Sequence, residues 1–445
     1  MFATYEEAME WIHTRKGMGP KPGIVRMKWL MEKLDHPERK FRSIHIAGTN
    51  GKGSNVAYLR SLFMAAGYTV GTFTSPHIVS FNERISVNGA NIPDEDVLEQ
   101  ANILYALYEE IGRTDMGPLT EFEVVTAMMF SYFGTHPCDV VLLEVGLGGL
   151  YDSTNVAEPD FSLITTIGKD HSNILGDTIA EIAYQKAGII KQGTPVVIGR
   201  LPEEAFAVMR DTAEKKAAPL HAFGPDFSVS NWHEGSDYHE VFDFASQLGA
   251  FEKLEITLMG GHQVDNAATA LQTFLLFCKK YALSYSETTI KSGLLGTAWP
   301  VRMEIISQKP FIMLDGAHNI PAMAVLTEAI KKKFSDKNIT ILLAALADKD
   351  LEEMGQLIKS IPASKLHVTT FDFPRAASVK ELCERVGVPE AGAYEDWRFA
   401  IDDLKAKQAE AGMLLITGSL YFLSEVRHYL LKDKEFGDAK KSSHF

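Results

Sequence analysis

The stretch Ser43-Ile44-His45-Ile46-Ala47-Gly48-Thr49-Asn50-Gly51-Lys52-Gly53-Ser54 constrains this chain more than any other. Its apolar start predicts a short strand, and Gly48, Gly51 and Gly53 predict a tight turn. The spacing of Tyr58, Leu59, Leu62 and Phe63 predicts a helix beginning near Ser54. A glycine-rich turn between strand and helix lets successive backbone N–H groups converge on an anion at the helix N-terminus. Lys52 adds a mobile positive charge, and a hydroxyl at Thr49 or Ser54 is placed to meet a Mg²⁺ ion. Gly53 stands where the motif G-x-x-x-x-G-K-[ST] has its hydroxyl residue, so this is a variant phosphate loop. The same residues also suit a plain turn with a solvated lysine.

At 445 residues the chain exceeds one ordinary core, and two domains are expected. A hydrophobic share of 46% with 23% charged residues describes a soluble globular protein. The net charge of −14 argues against general binding to nucleic acid or anionic membrane, so an anionic substrate must be met by local cations. Cys138, Cys278 and Cys383 are odd in number and far apart, which fits neither a disulfide framework nor a zinc site and suits a reducing compartment. The acidic N-terminus lacks the layout of a signal peptide, and no apolar run is long enough to span a membrane. A cytoplasmic protein, monomeric by default, is expected.

Helical spacing marks 4–13, 23–35, 94–112, 121–134 and 178–188. Apolar β-rich runs mark Tyr68–Phe73, Asp139–Val145, Phe161–Ile167 and Pro195–Gly199. Strands alternating with helices predict βαβ units and a parallel sheet. From 226 to 258 aromatics alternate with polar residues, which predicts a small antiparallel excursion, followed by a long helix from His262 to Tyr281. The alternation restarts after Gly296-Thr297-Ala298-Trp299-Pro300, with strands at Phe311–Leu314, Ile339–Leu346, Leu366–Phe371 and Met413–Thr417. The expected fold is α/β: a mostly parallel-sheet domain carrying the phosphate loop over 1–297, a smaller Rossmann-like α/β domain over 298–432, and a polar, frayed tail over 433–445.

Ligands of open parallel sheets gather at the carboxyl ends of the strands. The polar residues ending these strands are therefore candidates: Thr74-Ser75-Pro76-His77, Glu144, and Gly168-Lys169-Asp170-His171. A hydroxyl and a carboxylate beside a triphosphate make a Mg²⁺ site, completed by phosphate oxygens and water. Histidine is an unusual Mg²⁺ ligand, and His171 read alone is a satisfied loop histidine. Gly146-Leu147-Gly148-Gly149 is followed by turn residues, not a helix, and is read as backbone passing close to a ligand. Later strands end in Leu314-Asp315-Gly316-Ala317-His318-Asn319 and Thr417-Gly418-Ser419, where Asp315 is also a candidate helix cap.

Taken in order over residues 4 to 431, these motifs resemble the folylpolyglutamate synthase/dihydrofolate synthase family of ATP-dependent Mur-type ligases. The phosphate loop would fit any Mur-type ligase, whereas Thr74-Ser75-Pro76-His77 and Asp315-Gly316-Ala317-His318-Asn319 point to the folate branch. The resemblance implies joining a folate or dihydropteroate carboxylate to L-glutamate through an acyl phosphate, with ATP cleaved to ADP and phosphate. It implies nucleotide binding by Gly48, Thr49, Asn50, Gly51, Lys52, Gly53 and Ser54, joined by Asn266, Arg302, Asp315 and His318 from the two domains. It implies Mg²⁺, two ions, held by Ser54, Ser75, Glu144 and His171, and a carbamylated Lys186, which on the sequence alone reads as a helix-surface lysine. Lys52, Lys186 and His318 are then catalytic, and Arg84, Phe122, Glu123 and Ser419 lie on the substrate side. An aromatic and a carboxylate at Phe122 and Glu123 suit a flat pterin, although Thr120 and Glu123 also fit a helix capping box.

Two residues depart from the family pattern. Val301 replaces a usual glycine at the domain hinge, which stiffens it, and Leu150 stands where arginine is common, removing a cation. The alternatives are a Mur-type ligase for another carboxylate and a nucleotide-binding protein without ligase activity.

Overall fold

The computed structural model describes residues 1–15, 24–408 and 412–441, with side chains as far as Lys432 in the last helix. It divides into two compact units. The first holds Met1–Gly235, Val241–Thr257 and Gln263–Thr297, and the second holds Ser236–Glu240, Leu258–His262 and the chain from Ala298 onward.

The first unit is built on β1 (Ser43–Ala47), β2 (Val70–Phe73), β3 (Ile85–Val87), β4 (Ala90–Asn91), β5 (Val140–Glu144), β6 (Phe161–Ile164), β7 (Val196–Ile198) and β8 (Leu220–Ala222). They form one sheet in the order β4-β3-β2-β5-β1-β6-β7-β8. From β2 to β8 across the sheet the neighbours are parallel, whereas β3 and β4 pair antiparallel at one edge. Every residue of β1, β5 and β6 is buried, as expected of strands with helices on both faces. β1 lies between β5 and β6 with Ile46 opposite Glu144 and Ala47 opposite Ile164, so three strands release their loops side by side. β3, β4 and β8 are strands that the sequence pattern does not announce.

A smaller sheet, in the order β11-β10-β9, comprises β9 (Phe227–Glu234), β10 (Glu240–Ser246) and β11 (Gly249–Ile256), within the stretch of alternating aromatics. The long helix follows at Gly261–Tyr281. Its last turn is tied to the strand starts through Asp160, whose carboxylate accepts from Ser43 N (3.0 Å), Lys280 Nζ (2.9 Å) and the Tyr281 hydroxyl.

The second unit contains β12 (Glu304–Gln308), β13 (Phe311–Asp315), β14 (Asn338–Ala344), β15 (Ser364–Thr369), β16 (Ala393–Tyr394) and β17 (Gly412–Gly418), in the order β12-β13-β17-β14-β15-β16. Only β12 runs antiparallel to its neighbour. Val301 sits fully buried with φ at +52°, a left-handed conformation that glycine adopts freely and that costs a residue with a Cβ ~1–2 kcal/mol. The departure from glycine thus falls where the backbone keeps a glycine's geometry. The closing helix, Leu420–Lys441, continues past the expected start of a frayed tail at 433, and residues 442–445 lie outside those described. The second helix of the chain spans Val25–Lys33, and its expected start at 23 lies outside the described residues. No helix among the described residues is long and apolar enough to cross a membrane.

Within the second unit the carboxylate of Glu240 is almost fully buried. It accepts from Lys333 Nζ at 2.9 Å and Gly260 N at 2.6 Å, while Lys333 also donates to the Tyr238 carbonyl. Removing one partner of such a pair strands a buried charge, at a cost of roughly 3–5 kcal/mol. Glu240→Ala is therefore expected to lower the unfolding free energy of the second unit, measured by denaturant titration, by that amount. A change below about 1 kcal/mol would show that the pair contributes little.

Candidate active site

The phosphate loop leaves β1 at Gly48, and its helix runs from Lys52 to Ala65. Gly51 has φ at +82°, and a Cβ there would meet Asn266 Oδ1 at 2.5 Å, so conformation and space both require glycine. Lys52 Nζ donates to the carbonyls of Gly48 (3.1 Å) and Thr49 (3.4 Å), folding the lysine back over its own loop. Asn50 is held by Thr165 and Thr166 just beyond β6: its carbonyl accepts from both hydroxyls, and its N–H donates to Thr166 Oγ1. Thr49 Oγ1 is spent on Gly168, donating to its carbonyl and accepting from its N–H, both at 3.0 Å. Ser54, the other hydroxyl expected to face a cation, is buried in the first turn of the helix, where its oxygen accepts from Gln263 Nε2 at 3.3 Å.

Beside the loop, Glu144 ends β5 with its carboxylate buried, accepting from Ser75 N at 3.2 Å. A buried carboxylate and a neighbouring serine beside a phosphate cradle are the oxygen donors Mg²⁺ prefers, so these residues fit the ion. His171 is exposed in the left-handed region, with Nε2 3.9 Å from the carboxylate of Asp170. Among the described residues no three His, Cys, Asp or Glu side chains converge as a metal site.

Lys186 is not on the helix surface. It sits in the last turn of Ile179–Ala187 but is 3% exposed, and its Nζ donates to the Gly48 carbonyl at 3.0 Å. Burial pushes its pKa down to about 7; Lys52 adds repulsion, while Asp170 and Asp152 work the other way. Asp152 was not legible as a site residue, because Tyr151-Asp152-Ser153-Thr154-Asn155 reads only as turn. Its buried carboxylate accepts from Leu147 N (2.8 Å) and Thr154 N (3.0 Å), fixing the loop that leaves Glu144. Burial raises its pKa despite these hydrogen bonds.

The glycines of that loop face protein rather than ligand space. A Cβ at Gly146 would strike the Phe122 ring, and one at Gly149 would meet the Gln185 carbonyl at 2.9 Å. Leu150 uses its backbone in the same seam, donating to the Gln185 carbonyl at 2.7 Å and accepting from Asn155 Nδ2 at 3.0 Å. Nothing in the structure explains the loss of the usual cation there. Phe122 also lies 6.0 Å from Phe73, while Glu123 closes the capping box with Thr120 and pairs with Arg26 at 2.7 Å. Both oxygens of Glu123 are thereby engaged within the protein. Arg84 donates to His77 Nδ1 at 3.1 Å and lies 3.7 Å from Glu121.

In the second unit, Asp315 ends β13 and accepts from Met303 N and Ala317 N, both at 2.9 Å. Burial raises its pKa, opposed by Arg302, whose guanidinium meets any Cβ placed on Gly316. His318 Nδ1 lies 2.8 Å from the Gly316 carbonyl, an acceptor, which puts a proton on Nδ1. At the adjacent carboxyl end, the hydroxyls of Thr417 and Ser419 are buried without a partner among the described residues. Asp315 is thus a loop organiser; the helix cap is Asn319, which accepts from Ala322 N.

A variant phosphate loop at the carboxyl ends of a parallel sheet, followed by a second α/β unit with its own polar strand ends, is the arrangement of a nucleotide-using enzyme built from two α/β units. Residues 46–274 match the Mur ligase middle domain, and residues 301–420 match the Mur ligase glutamate ligase domain. Over 431 residues the chain is 43% identical to the dihydrofolate synthase/folylpolyglutamate synthase of Bacillus subtilis (strain 168), covering 97% of this chain and 100% of that one. It is similar to the solved Mycobacterium tuberculosis folylpolyglutamate synthase complexed with ADP, with a TM-score of 0.88, 29% identity, and coverage of 96% of this chain and 98% of that one. An FPGS–AMPPCP–folate complex gives a TM-score of 0.83 and 34% identity over 96% of this chain and all of the other. The chain belongs to the folylpolyglutamate synthase/dihydrofolate synthase family of Mur ligases. It is an ATP-dependent ligase of folate metabolism.

Proposed function

We propose that this ligase forms an amide between the γ-carboxylate of a folate's glutamate and the amine of L-glutamate, and that it also joins glutamate to dihydropteroate. The observation that supports the reading is that the phosphate loop with Lys52 leaves β1 where the neighbouring strand β5 ends on the buried Glu144. A free carboxylate is a poor electrophile. Its oxygen therefore attacks the γ-phosphorus of ATP and displaces ADP, and the glutamate amine then attacks the acyl carbon of the acyl phosphate and displaces phosphate. Lys52 and the loop N–H groups stabilise charge developing on the transferred phosphoryl oxygens. Glu144, Ser54, Ser75 and His171 are the residues that would hold Mg²⁺, which supplies further neutralisation of the phosphate oxygens when bound. Asn266, Arg302 and Asp315 act on the nucleotide side.

Arg84 and Phe122 are assigned to the folate or dihydropteroate, the first for a carboxylate and the second for a flat ring. Glu123 is assigned instead to organising the helix that carries Phe122, since its oxygens serve the cap and Arg26. The Ser419 hydroxyl, buried without a partner among the described residues, suits an incoming amino acid, and His318 at the end of the neighbouring strand is assigned to the chemistry on the same side. Lys186 is assigned a carbamate, which turns a buried amine into an anion able to meet a cation.

The test supplies purified protein with ATP, Mg²⁺ and glutamate, adding tetrahydrofolate or dihydropteroate separately and reading products by mass. The expected result is a gain of one glutamate on each acceptor, with ADP release that needs acceptor and glutamate together. Gain on neither acceptor, with the protein folded and binding ATP, overturns the proposal.

A further inference from the structure

Four side-chain amides and hydroxyls, all buried, link the phosphate loop to the first turns of the Gly261–Tyr281 helix. Asn55 Nδ2 donates to the Gly51 carbonyl (2.9 Å) and to Asn266 Oδ1 (3.1 Å). Asn266 Nδ2 donates to Gln263 Oε1 (3.2 Å), and Gln263 Nε2 donates to Ser54 Oγ (3.3 Å). The direction of this chain is forced. A backbone carbonyl only accepts, so the Asn55 amide must turn its nitrogen toward Gly51. Asn266 must then face Asn55 with oxygen and Gln263 with nitrogen, and Gln263 must face Ser54 with nitrogen. Reversing any one amide sets oxygen against oxygen or nitrogen against nitrogen. Asn55 Oδ1 is left buried without a partner, a cost that an apolar side chain at 55 would not carry.

We infer that Asn55 and Gln263 are positioning residues for the ligase reaction, fixing which atoms Asn266 and Ser54 present to the nucleotide. Asn266 is left with one N–H to donate, and Ser54 keeps its own hydroxyl proton to donate because its oxygen accepts from Gln263. Asn55 follows Ser54 in the helix that the loop opens and Gln263 lies on the distant Gly261–Tyr281 helix, and neither needs to touch ATP. The inference rests on the assignment of Ser54 and Asn266 to the nucleotide side.

The experiment uses the full chain and compares Gln263→Met, Asn55→Leu and their double variant with Ser54→Ala and Asn266→Ala. Steady-state constants for ATP and for glutamate are measured, together with thermal unfolding. Gln263→Met and Asn55→Leu are each expected to raise KM for ATP roughly 10- to 100-fold, with KM for glutamate unchanged. The double variant is expected to be no worse than the poorer single variant, because both act through Asn266. Additive losses, or equal increases in both KM values, would overturn the relay and leave the two residues as packing. If Ser54→Ala and Asn266→Ala impair ATP use while Gln263→Met and Asn55→Leu do not, the inference fails and the site assignment stands. If Ser54→Ala and Asn266→Ala leave KM for ATP unchanged, the site assignment itself fails and the inference with it. Should Asn55→Leu not fold, Gln263→Met alone decides through its ATP-to-glutamate split.

Discussion

Lys52→Ala is expected to lower ADP formation by roughly 10³-fold while leaving the unfolding midpoint close to that of the parent. The lysine is half-buried and donates only to carbonyls of its own loop, so the fold loses two hydrogen bonds that water can replace. Turnover loses a charge aimed at the transferred phosphoryl group, where a preorganised donor in a dry site counts for far more than in water. Activity within tenfold of the parent would exclude Lys52 from the chemistry, and a large drop in stability would make it structural instead. Lys52→Arg is a sharper variant, since it keeps the charge and changes its shape, and it should recover only part of the rate.

Lys186→Ala is expected to cost on the order of 100-fold in turnover, and short carboxylic acids should restore part of it by supplying the missing anion. The pH dependence separates this role from a packing role. Carbamate formation needs the neutral amine, and with a pKa of about 7 that form rises from a minority to the majority between roughly pH 6 and 8. Carbamylation at limiting CO₂ should rise over the same interval. Stability carries the same signature. The unfolded lysine binds its proton up to the ordinary value of 10.5, so the unmodified amine stabilises the fold fully above that pH. The contribution is lost as pH falls toward 7 and is level below. In CO₂-free buffer, Lys186→Met should remove this slope. Parallel stability curves for parent and variant would place the ammonium in a solvated site and contradict the burial argument.

The central architecture was legible because β1, β5 and β6 are buried on both faces and read as near-continuous apolar runs. The loops that end them could be ranked by polar residues alone. The edge strands were not legible: Ala90–Asn91 and Ala393–Tyr394 are two residues each and are defined by the neighbour they pair with. Lys186 shows a different limit. A helix over 178–188 was legible, and Thr178 and Glu181 cap it, but Lys186 in its last turn meets the phosphate loop, 138 positions away. The relay from Asn55 to Asn266 spans 211 positions; the family resemblance pointed to Asn266, but nothing in the sequence marked Asn55. Glu123 fitted both a capping box and a pterin contact, and the structure shows its oxygens closing the capping box and pairing with Arg26.

The helix Gly261–Tyr281 is fixed at both ends, to the phosphate loop through Gln263 and Asn266 and to the strand starts through Lys280 and Tyr281. It therefore works as a strut of set length and set phase. Deleting one residue between the anchors would shorten it by about 1.5 Å and rotate one end against the other by about 100°. One anchor could then be kept only by losing the other. Insertions and deletions should be absorbed by the turns of the β9–β11 sheet that precedes it, while the helix itself must keep its residue count for as long as the phosphate loop depends on it.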